Sequence, residues 1–300
     1  MNINKLNSCF LIDGTFYVYK AYYALPALTN SLGEPTGAIY GVLNMLNNIL
    51  ENYNPKYMLV VFDAPQKTFR HKLFPQYKSH RLSMPNSLQL QIQPLYNIIK
   101  AMGIPILIAQ GGVEADDIIG SLAQSIELQG GTVFIDSNDK DIAQLVTSNI
   151  RVINTSNNTI LGPLEVWKKY GVPPNLMIDL IALMGDSSDN IPGIPGIGIK
   201  TAQKLLTYIG NLNKIFSNLR KVAELSFPRA KSLALKLEKS KDIVFLYRIL
   251  ATINTNIPIQ MNYNELRVTK PNRNQFLRLC QYYEFKNWIH KIKKDLCNLK

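Results

Sequence analysis

The sequence predicts an α/β fold: a mostly parallel central sheet flanked by helices, followed by a helical region. Short continuous apolar runs at residues 9–12, 58–62, 104–108 and 132–135 alternate with helical periodicities. That is the pattern of strands buried on both faces by crossover helices. Several of these runs lead straight into an acid, at Asp13, Asp63 and the Asp139/Asp141 pair. From about residue 163 the strand pattern stops and helix follows helix.

The elements follow in order. Residues 9–12 read as a strand ending at Asp13-Gly14, and a helical stretch with Tyr17, Tyr19, Lys20, Tyr22 and Tyr23 comes next. Ile39, Val42, Leu43, Leu46, Ile49 and Leu50 recur at core spacing in a second helix, which Asn54-Pro55 ends. The strand at 58–62 leads to a basic, aromatic, Gln-rich stretch at 66–93, and a helix is expected near 88–102. The run at 104–108 leads to Gly111-Gly112 and a helix buried through Ile118, Ile119, Leu122, Ala123 and Ile126, which Gly130-Gly131 ends. A fourth strand at 132–135 precedes Asp136, Asp139 and Asp141, and Val152-Ile153 marks a fifth. Residues 171–174 are a linker or cap, 176–184 a helix, and 185–202 a glycine- and proline-rich turn opening another helix.

With 300 residues, 46% of them apolar and 18% charged, the chain can bury one large core or two medium ones. No apolar run approaches the roughly 20 residues of a membrane span. The short apolar stretch at 9–12 runs into Asp13 without a small-residue cleavage site, so no signal peptide is expected. Cys9, Cys280 and Cys297 lack metal or disulfide spacing, which fits a reducing, cytoplasmic location. The 33 Lys and Arg against 21 Asp and Glu give a net charge of +12, pointing to nucleic acid as the anionic partner.

The chemistry centres on Glu114, Asp116 and Asp117, three acids in the first turn of a helix. Acids favour a helix N-terminus, but the dipole offsets only about 1 kcal/mol each. Carboxylates this crowded need a proton or a cation between them. In an open parallel sheet the working site lies beyond the carboxyl ends of the strands, where Asp13, Asp63, Asp139 and Asp141 also fall. With Asp186 and Asp189 the candidates number nine. All-oxygen ligands point to Mg²⁺ or Mn²⁺ rather than zinc. Nine suit two ions about 3.5–4 Å apart, some acids acting through water. Setting these nine aside leaves 12 acids against 33 bases, an acidic pocket in a basic body.

Residues 66–81 carry Arg70, Lys72, Phe74, Tyr77, Lys78 and Arg81. A helix bent at Pro75 would bring Arg70, Phe74, Tyr77 or Lys78, and Arg81 to one face, with bases for phosphates and aromatics for stacking. Directly after Asp63, it would sit over the metal site. Gly193, Gly196 and Gly198 lead into Lys200 and Thr201, a turn whose backbone N–H groups can hold phosphate without reading sequence. It is not a P-loop, since Ile199 separates Gly198 from Lys200 and no strand precedes it.

Taken together, Leu11-Ile12-Asp13-Gly14, Val61-Phe62-Asp63-Ala64, Thr68-Phe69-Arg70-His71, Tyr77-Lys78-Ser79-His80-Arg81, residues 112–117, Asp139-Lys140-Asp141 and residues 185–202 are similar to the 5′–3′ exonuclease domain of bacterial DNA polymerase I, a relative of flap endonucleases. The resemblance runs from residue 8 to about 290. It implies a PIN-like nuclease domain at 1–174 with a basic helical arch at about 66–93. A helix-three-turn-helix region would follow at 175–260, and a basic extension at 261–300 would pack on the nuclease domain. It further implies a monomeric two-metal phosphodiesterase acting on nicked or 5′-flap duplex DNA and RNA-primed ends, in primer removal and repair. All nine acids match metal-site positions. Arg70 matches a contact to the scissile phosphate, Lys78 a second basic helper and Tyr19 a stacking residue. Lys20, Lys72, Tyr77, Arg81, Gly196, Gly198, Lys200 and Thr201 are further DNA contacts, and backbone carbonyls near 185–202 would hold a K⁺ ion. Ile199 stands where the family usually has Glu, Asn138 where Gly or Ala is common, and Asp136 is an extra acid. The polymerase regions of that family are not in this sequence, so a stand-alone nuclease, with a separate polymerase as partner, and a piece of a longer polymerase both fit. Competing readings are a catalytically silent DNA-junction binding module, which would need lost metal ligands, and a related ribonuclease. Lys200→Ala is expected to weaken DNA binding and to flatten its salt dependence by a small increment; an unchanged slope in a salt titration removes Lys200 from the phosphate contacts.

Overall fold

The computed structural model describes residues 8–226 and 230–297; residues 1–7, 227–229 and 298–300, which belong to the expected regions above, lie outside the described residues. Its centre is β1 (Ser8–Asp13), every residue of which is buried. Around it lie β2 (Tyr57–Phe62), β3 (Ile106–Ile108), β4 (Thr132–Asp136), β5 (Ile150–Asn154) and β6 (Thr159–Leu161), in the order β3-β2-β1-β4-β5-β6. The first five are parallel and β6 closes one edge antiparallel to β5. This is a mixed, mostly parallel sheet flanked by helices.

Successive strand residues face opposite layers. Phe10, Ile12, Met58, Val60 and Phe134 pack toward α1 (Gly14–Ala24), α2 (Gly37–Tyr53) and α4 (Asn86–Ala101). Cys9, Leu11, Leu59, Val61, Val133 and Ile135 face α5 (Ala115–Leu128). Burial on both sides is why these strands read as unbroken apolar runs rather than alternating ones. The second layer continues without a break through α6 (Pro163–Tyr170), α7 (Met177–Met184), α8 (Ile199–Tyr208), α9 (Leu212–Ser217), α10 (Leu219–Ala223), α11 (Ala230–Lys239) and α12 (Lys241–Ala251), so the helical region shares the sheet's core.

Several expectations change. The third strand starts later than 104 because Pro105 has no N–H for the ladder. β6 left no trace in the sequence: three residues with an exposed Thr159 at a sheet edge carry no hydrophobic pattern. The 66–93 stretch is not one bent helix. α3 (Phe69–Leu73) stops before Pro75, the chain turns through 76–81 with Lys78 at φ +53°, and α4 begins only after Pro85. Arg70 and Arg81 therefore do not share a helical face. The weakly periodic end of the chain folds into α13 (Arg273–Tyr282) and α14 (Lys286–Cys297), which join the α2/α4 layer through Phe276, Phe285 and Trp288. Trp288 Nε1 donates to Asn44 Oδ1 at 2.9 Å. No helix among the described residues is long and apolar enough to cross a membrane.

The loop between α7 and α8 depends on close backbone approach. Gly185 and Gly193 have φ of +83° and +67°. A Cβ on Gly193 would lie 2.3 Å from Gly185 N, and one on Gly185 would lie 2.6 Å from Ile191 O. Asp186 and Ile191 bond to each other across this turn. Only glycine fits both places, which fixes how the Asp186–Asn190 turn returns to the edge of the sheet.

Candidate active site

The carboxyl edge of the sheet sets out the acids in strand order. Asp63 follows β2, Asp13 ends β1, and Asp139 follows β4 on the other side. α5 begins beside them, with Glu114 as its N-cap and Asp116 in its first turn. Asp13, Asp63, Glu114, Asp116 and Asp139 line one cavity of about 430 Å³. Each is aimed by local bonds. Asp13 caps α1, accepting from Phe16 N–H at 2.9 Å, while its other oxygen accepts from Ser137 Oγ at 3.1 Å. Asp63 Oδ1 accepts from Ala115 N–H at 2.8 Å, tying β2 to α5. Asp139 Oδ1 accepts from Asp141 N–H at 2.9 Å.

Beside this cavity Asp141, Asp186 and Asp189 each bring a carboxylate oxygen within 4.8 Å of the others. Burial, with Asp63 and Asp139 close by, pushes the Asp13 carboxyl up to about 7 despite the Phe16 bond. Burial also raises Asp116 and Asp141 well above the carboxylate range, helped by Asp139 and their other acidic neighbours, and raises Asp139 itself. Asp141 Oδ1 and Asp186 Oδ2 are buried without a hydrogen-bond partner. A buried carboxylate oxygen left alone is costly, and a proton or a cation relieves it. The donors are all carboxylate oxygens, so the site fits hard divalent cations.

Four bases answer the acids. Lys78 Nζ lies 2.8 Å from Glu114 Oε2 and 3.6 Å from Asp189 Oδ2. Arg81 Nη2 reaches Asp189 Oδ1 at 2.8 Å, and Lys140 Nζ reaches Asp186 Oδ1 at 2.7 Å. Burial alone would raise Glu114, but Lys78 and Arg70 hold it below its ordinary value. Against the same burial, Lys140 and Ser188 hold Asp186 low.

The sequence family described as "5′-3′ exonuclease, N-terminal resolvase-like domain" matches residues 8–171, and "5′-3′ exonuclease, C-terminal SAM fold" matches residues 172–274. The chain belongs to the 5′-3′ exonuclease family. It is 44% identical to the 5′-3′ exonuclease of Buchnera aphidicola subsp. Schizaphis graminum, over 95% of this chain and 99% of that one. It is 45% identical to DNA polymerase I of Pseudomonas aeruginosa, over 95% of this chain but 31% of that protein. The fold is shared with the bacteriophage T5 D15 flap endonuclease solved with DNA and metal ions, at a TM-score of 0.66 and 19% identity over 97% and 98% of the two chains. The catalytic core of Rad2 in complex with DNA substrate gives 0.65 at 17% identity, over 98% and 92%. With its buried acidic cluster, this family member is a nuclease.

The predicted residues divide. Tyr19, Lys78 and Arg81 line the acidic cavity with five of the acids. Gly196, Gly198, Lys200 and Thr201 lie apart from it, at the turn into α8, where Gly196 and Gly198 are exposed and Ile199 is 44% exposed. Lys72 is exposed on α3, and Lys20 Nζ donates to Ser156 Oγ at 2.6 Å instead of facing the cavity.

Burial sets three of the expected residues apart from the cavity. Arg70, expected at the scissile phosphate, is 2% exposed. Its Nη1 and Nη2 donate to both oxygens of Asp117 at 2.8 and 2.7 Å, and Nε and Nη2 donate to the Leu250 and Thr252 carbonyls. Asp117, expected as a metal ligand, is fully buried, and beyond Arg70 it accepts from the Glu114 and Asn254 N–H groups. Each of its oxygens thus accepts two hydrogen bonds. Tyr77, expected to contact DNA, is 1% exposed, and its hydroxyl donates to Asp189 Oδ2 at 2.7 Å. Arg70 and Tyr77 in a basic stretch, and Asp117 in an acidic one, look the same in sequence whether they face in or out.

Sequence reasoning missed two supports. Asp136 accepts from the Tyr17 hydroxyl at 2.6 Å, anchoring α1 to β4 behind Asp13. The signal was available: an acid ending a strand and a tyrosine four residues beyond Asp13. Lys140 stands between two acids in Asp139-Lys140-Asp141, and that alternation was its signal. Asn138 is not in the left-handed region, so the departure there needs no tolerance of positive φ.

Arg70→Met is expected to destabilise the fold by about 3–5 kcal/mol, because it strands a buried carboxylate, and Arg70→Met with Asp117→Leu to recover most of that. Urea unfolding checks it; unchanged stability in Arg70→Met returns Arg70 to the cavity. A second expectation concerns pH. The Asp13 carboxyl rises from about 3.9 unfolded to about 7 folded, so its contribution to stability is full below pH 4 and is lost as pH rises through 7. Divalent cations bind the deprotonated acids, so the gain in melting temperature on adding Mg²⁺ is expected to be larger at pH 8 than at pH 5. Equal gains at both pH values contradict it.

Proposed function

We propose that the chain hydrolyses phosphodiester bonds near 5′ ends of nicked or flapped duplex DNA, RNA-primed ends included, with two Mg²⁺ or Mn²⁺ ions. One observation carries this. Three strands and one helix deliver acids to a single cavity, beside three further carboxylates, two of which (Asp141 and Asp186) keep an unsatisfied buried oxygen, in a chain of net charge +12. Asp13, Asp63, Asp116 and Asp139, with Glu114, would hold one ion; Asp141, Asp186 and Asp189 would hold the other. When bound, such ions supply a water of lowered pKa and offset charge on the scissile phosphate.

The chain's own residues do the rest. Lys78 and Arg81 present cationic groups at the cavity wall, where a phosphate crosses the acids. Their bonds to Glu114 and Asp189 keep both side chains oriented before substrate arrives. Tyr19, on the first helix after Asp13, offers a ring at the rim for a terminal base pair. Beyond Asp186, we read 185–208 as a helix-three-turn-helix that holds the duplex. Backbone N–H groups at Gly196 and Gly198, with Lys200 and Thr201, would meet phosphates there, and a K⁺ ion would sit on backbone carbonyls. The reading treats 1–174 as a PIN-like nuclease domain, 175–260 as the duplex-binding region and 261–300 as a brace, in a monomer working with a separate polymerase.

The test uses a 5′-labelled flap with and without Mg²⁺. Short labelled products that require the metal are expected. Asp186→Ala is expected to abolish incision while DNA binding stays within about threefold of wild type, since the loss falls on the transition state. Wild-type protein that binds the flap tightly and cuts nothing would support a silent junction-binding module instead.

A further inference from the structure

A second cavity, of about 720 Å³, opens beside the acidic one and shares Tyr19, Asp63 and Arg81 with it. Its chemistry differs. Phe62, Met84, Ile92 and Tyr96 give it an apolar wall, and the Phe62 and Tyr96 rings pack 4.7 Å apart. Gln89 and Gln93, one helical turn apart on α4, set two exposed amides along its rim. Among the described residues no lysine lines it, and Arg81 stands only at the shared boundary. An apolar wall with amides at its edge suits a flat heterocycle with hydrogen-bonding edges, and suits a phosphate poorly.

Sheet topology says which part of a strand reaches it. Across the carboxyl edge the order is Asp63 after β2, Asp13 on β1, then Asp139 after β4. Asp141 follows β4 with Asp186 beside it, and α8 packs on α7, which packs on the 141–145 turn of that same side. The second cavity lies on the β2 side, between α1 and α4. A strand whose duplex rests toward α8 and whose scissile phosphate crosses the acids must send its 5′ end toward β2.

We propose that this cavity is a subsite for the nucleobase at the 5′ end of the strand being cut, with Gln89 and Gln93 meeting its edge and Tyr96 and Ile92 its face. The inference rests on the nuclease reading above for the direction of the strand. It makes incision sensitive to the presence of a base at a position that needs no pairing partner.

The experiment compares flaps of one nucleotide that carry either a normal 5′-terminal base or an abasic residue, under single turnover with Mg²⁺. Wild type is expected to cut the abasic flap about tenfold more slowly, the scale of one base–aromatic contact. The exposed-rim variant Gln89→Ala/Gln93→Ala is expected to slow on the normal flap and to lose most of the difference between the two. In parallel, 2-aminopurine at the 5′ terminus is bound in EDTA, where no cutting occurs. Its fluorescence is expected to change on wild type and to change less on the variant. Equal rates on both flaps with no fluorescence response overturn the subsite and leave the nuclease intact. A fluorescence response without incision of any flap overturns the nuclease reading and leaves a base-binding cavity.

Discussion

Repulsion among acids gathered at one edge of a parallel sheet is the constraint that the surrounding structure answers. At about 4 Å two like charges cost roughly 4 kcal/mol in a partly solvated site, and here three carboxylates approach within 4.8 Å beside five more. Burial and neighbouring acids raise Asp13, Asp116, Asp139 and Asp141 above their ordinary values, which favours protons that relieve part of this. Lysine and arginine relieve another part, through Lys78, Arg81 and Lys140. The remainder, at the unpartnered oxygens of Asp141 and Asp186, is the share a divalent cation would take.

The backbone holds the acids in place against that repulsion. Asp13 is pinned from both sides, by the helix it caps and by Ser137 beyond β4. Asp63 is pinned to the first turn of α5. Asp186 is pinned by a turn that only glycine at 185 and 193 permits. These are short-range bonds at ends of rigid elements, so the acids need no flexible loop to bring them together. Behind them the Tyr17–Asp136 bond ties α1 to β4, the two elements whose separation would open the cavity.

Much of this was legible in the sequence for a physical reason. Strands buried on both faces must be apolar throughout, so residues 9–12 and 58–62 announced themselves, and the acids that end them marked the edge where a site forms. Edge elements escape that logic: β6, paired on one side and solvated on the other, has no apolar requirement to betray it. The end of the chain was obscure because only Phe276, Phe285, Trp288 and a few neighbours touch the core, while the rest of α13 and α14 is polar. The 66–93 stretch hides its true shape because its helical spacing runs across Pro75, whereas the backbone leaves the helix before it.

What sequence could not decide is which base neutralises and which meets substrate. Arg70 and Arg81 sit eleven residues apart in one basic stretch, and their side chains are chemically the same. Arg70 is sealed beneath the 250–254 segment, where its guanidinium satisfies Asp117 and two backbone carbonyls. A group so fully bonded in a dry place cannot turn to a phosphate without stranding a carboxylate, a loss of several kcal/mol that no new contact recovers. Arg81 has about half its side chain in solvent and shares Asp189 with Tyr77 and Lys78. Were it to leave that carboxylate, the Tyr77 hydroxyl and the Lys78 ammonium would still face Asp189 Oδ2, so Arg81 has more freedom to meet a phosphate than Arg70 does. Depth of burial, set by where the chain leaves α3 and turns at Lys78, thus separates a brace from the arginine we propose as a substrate contact.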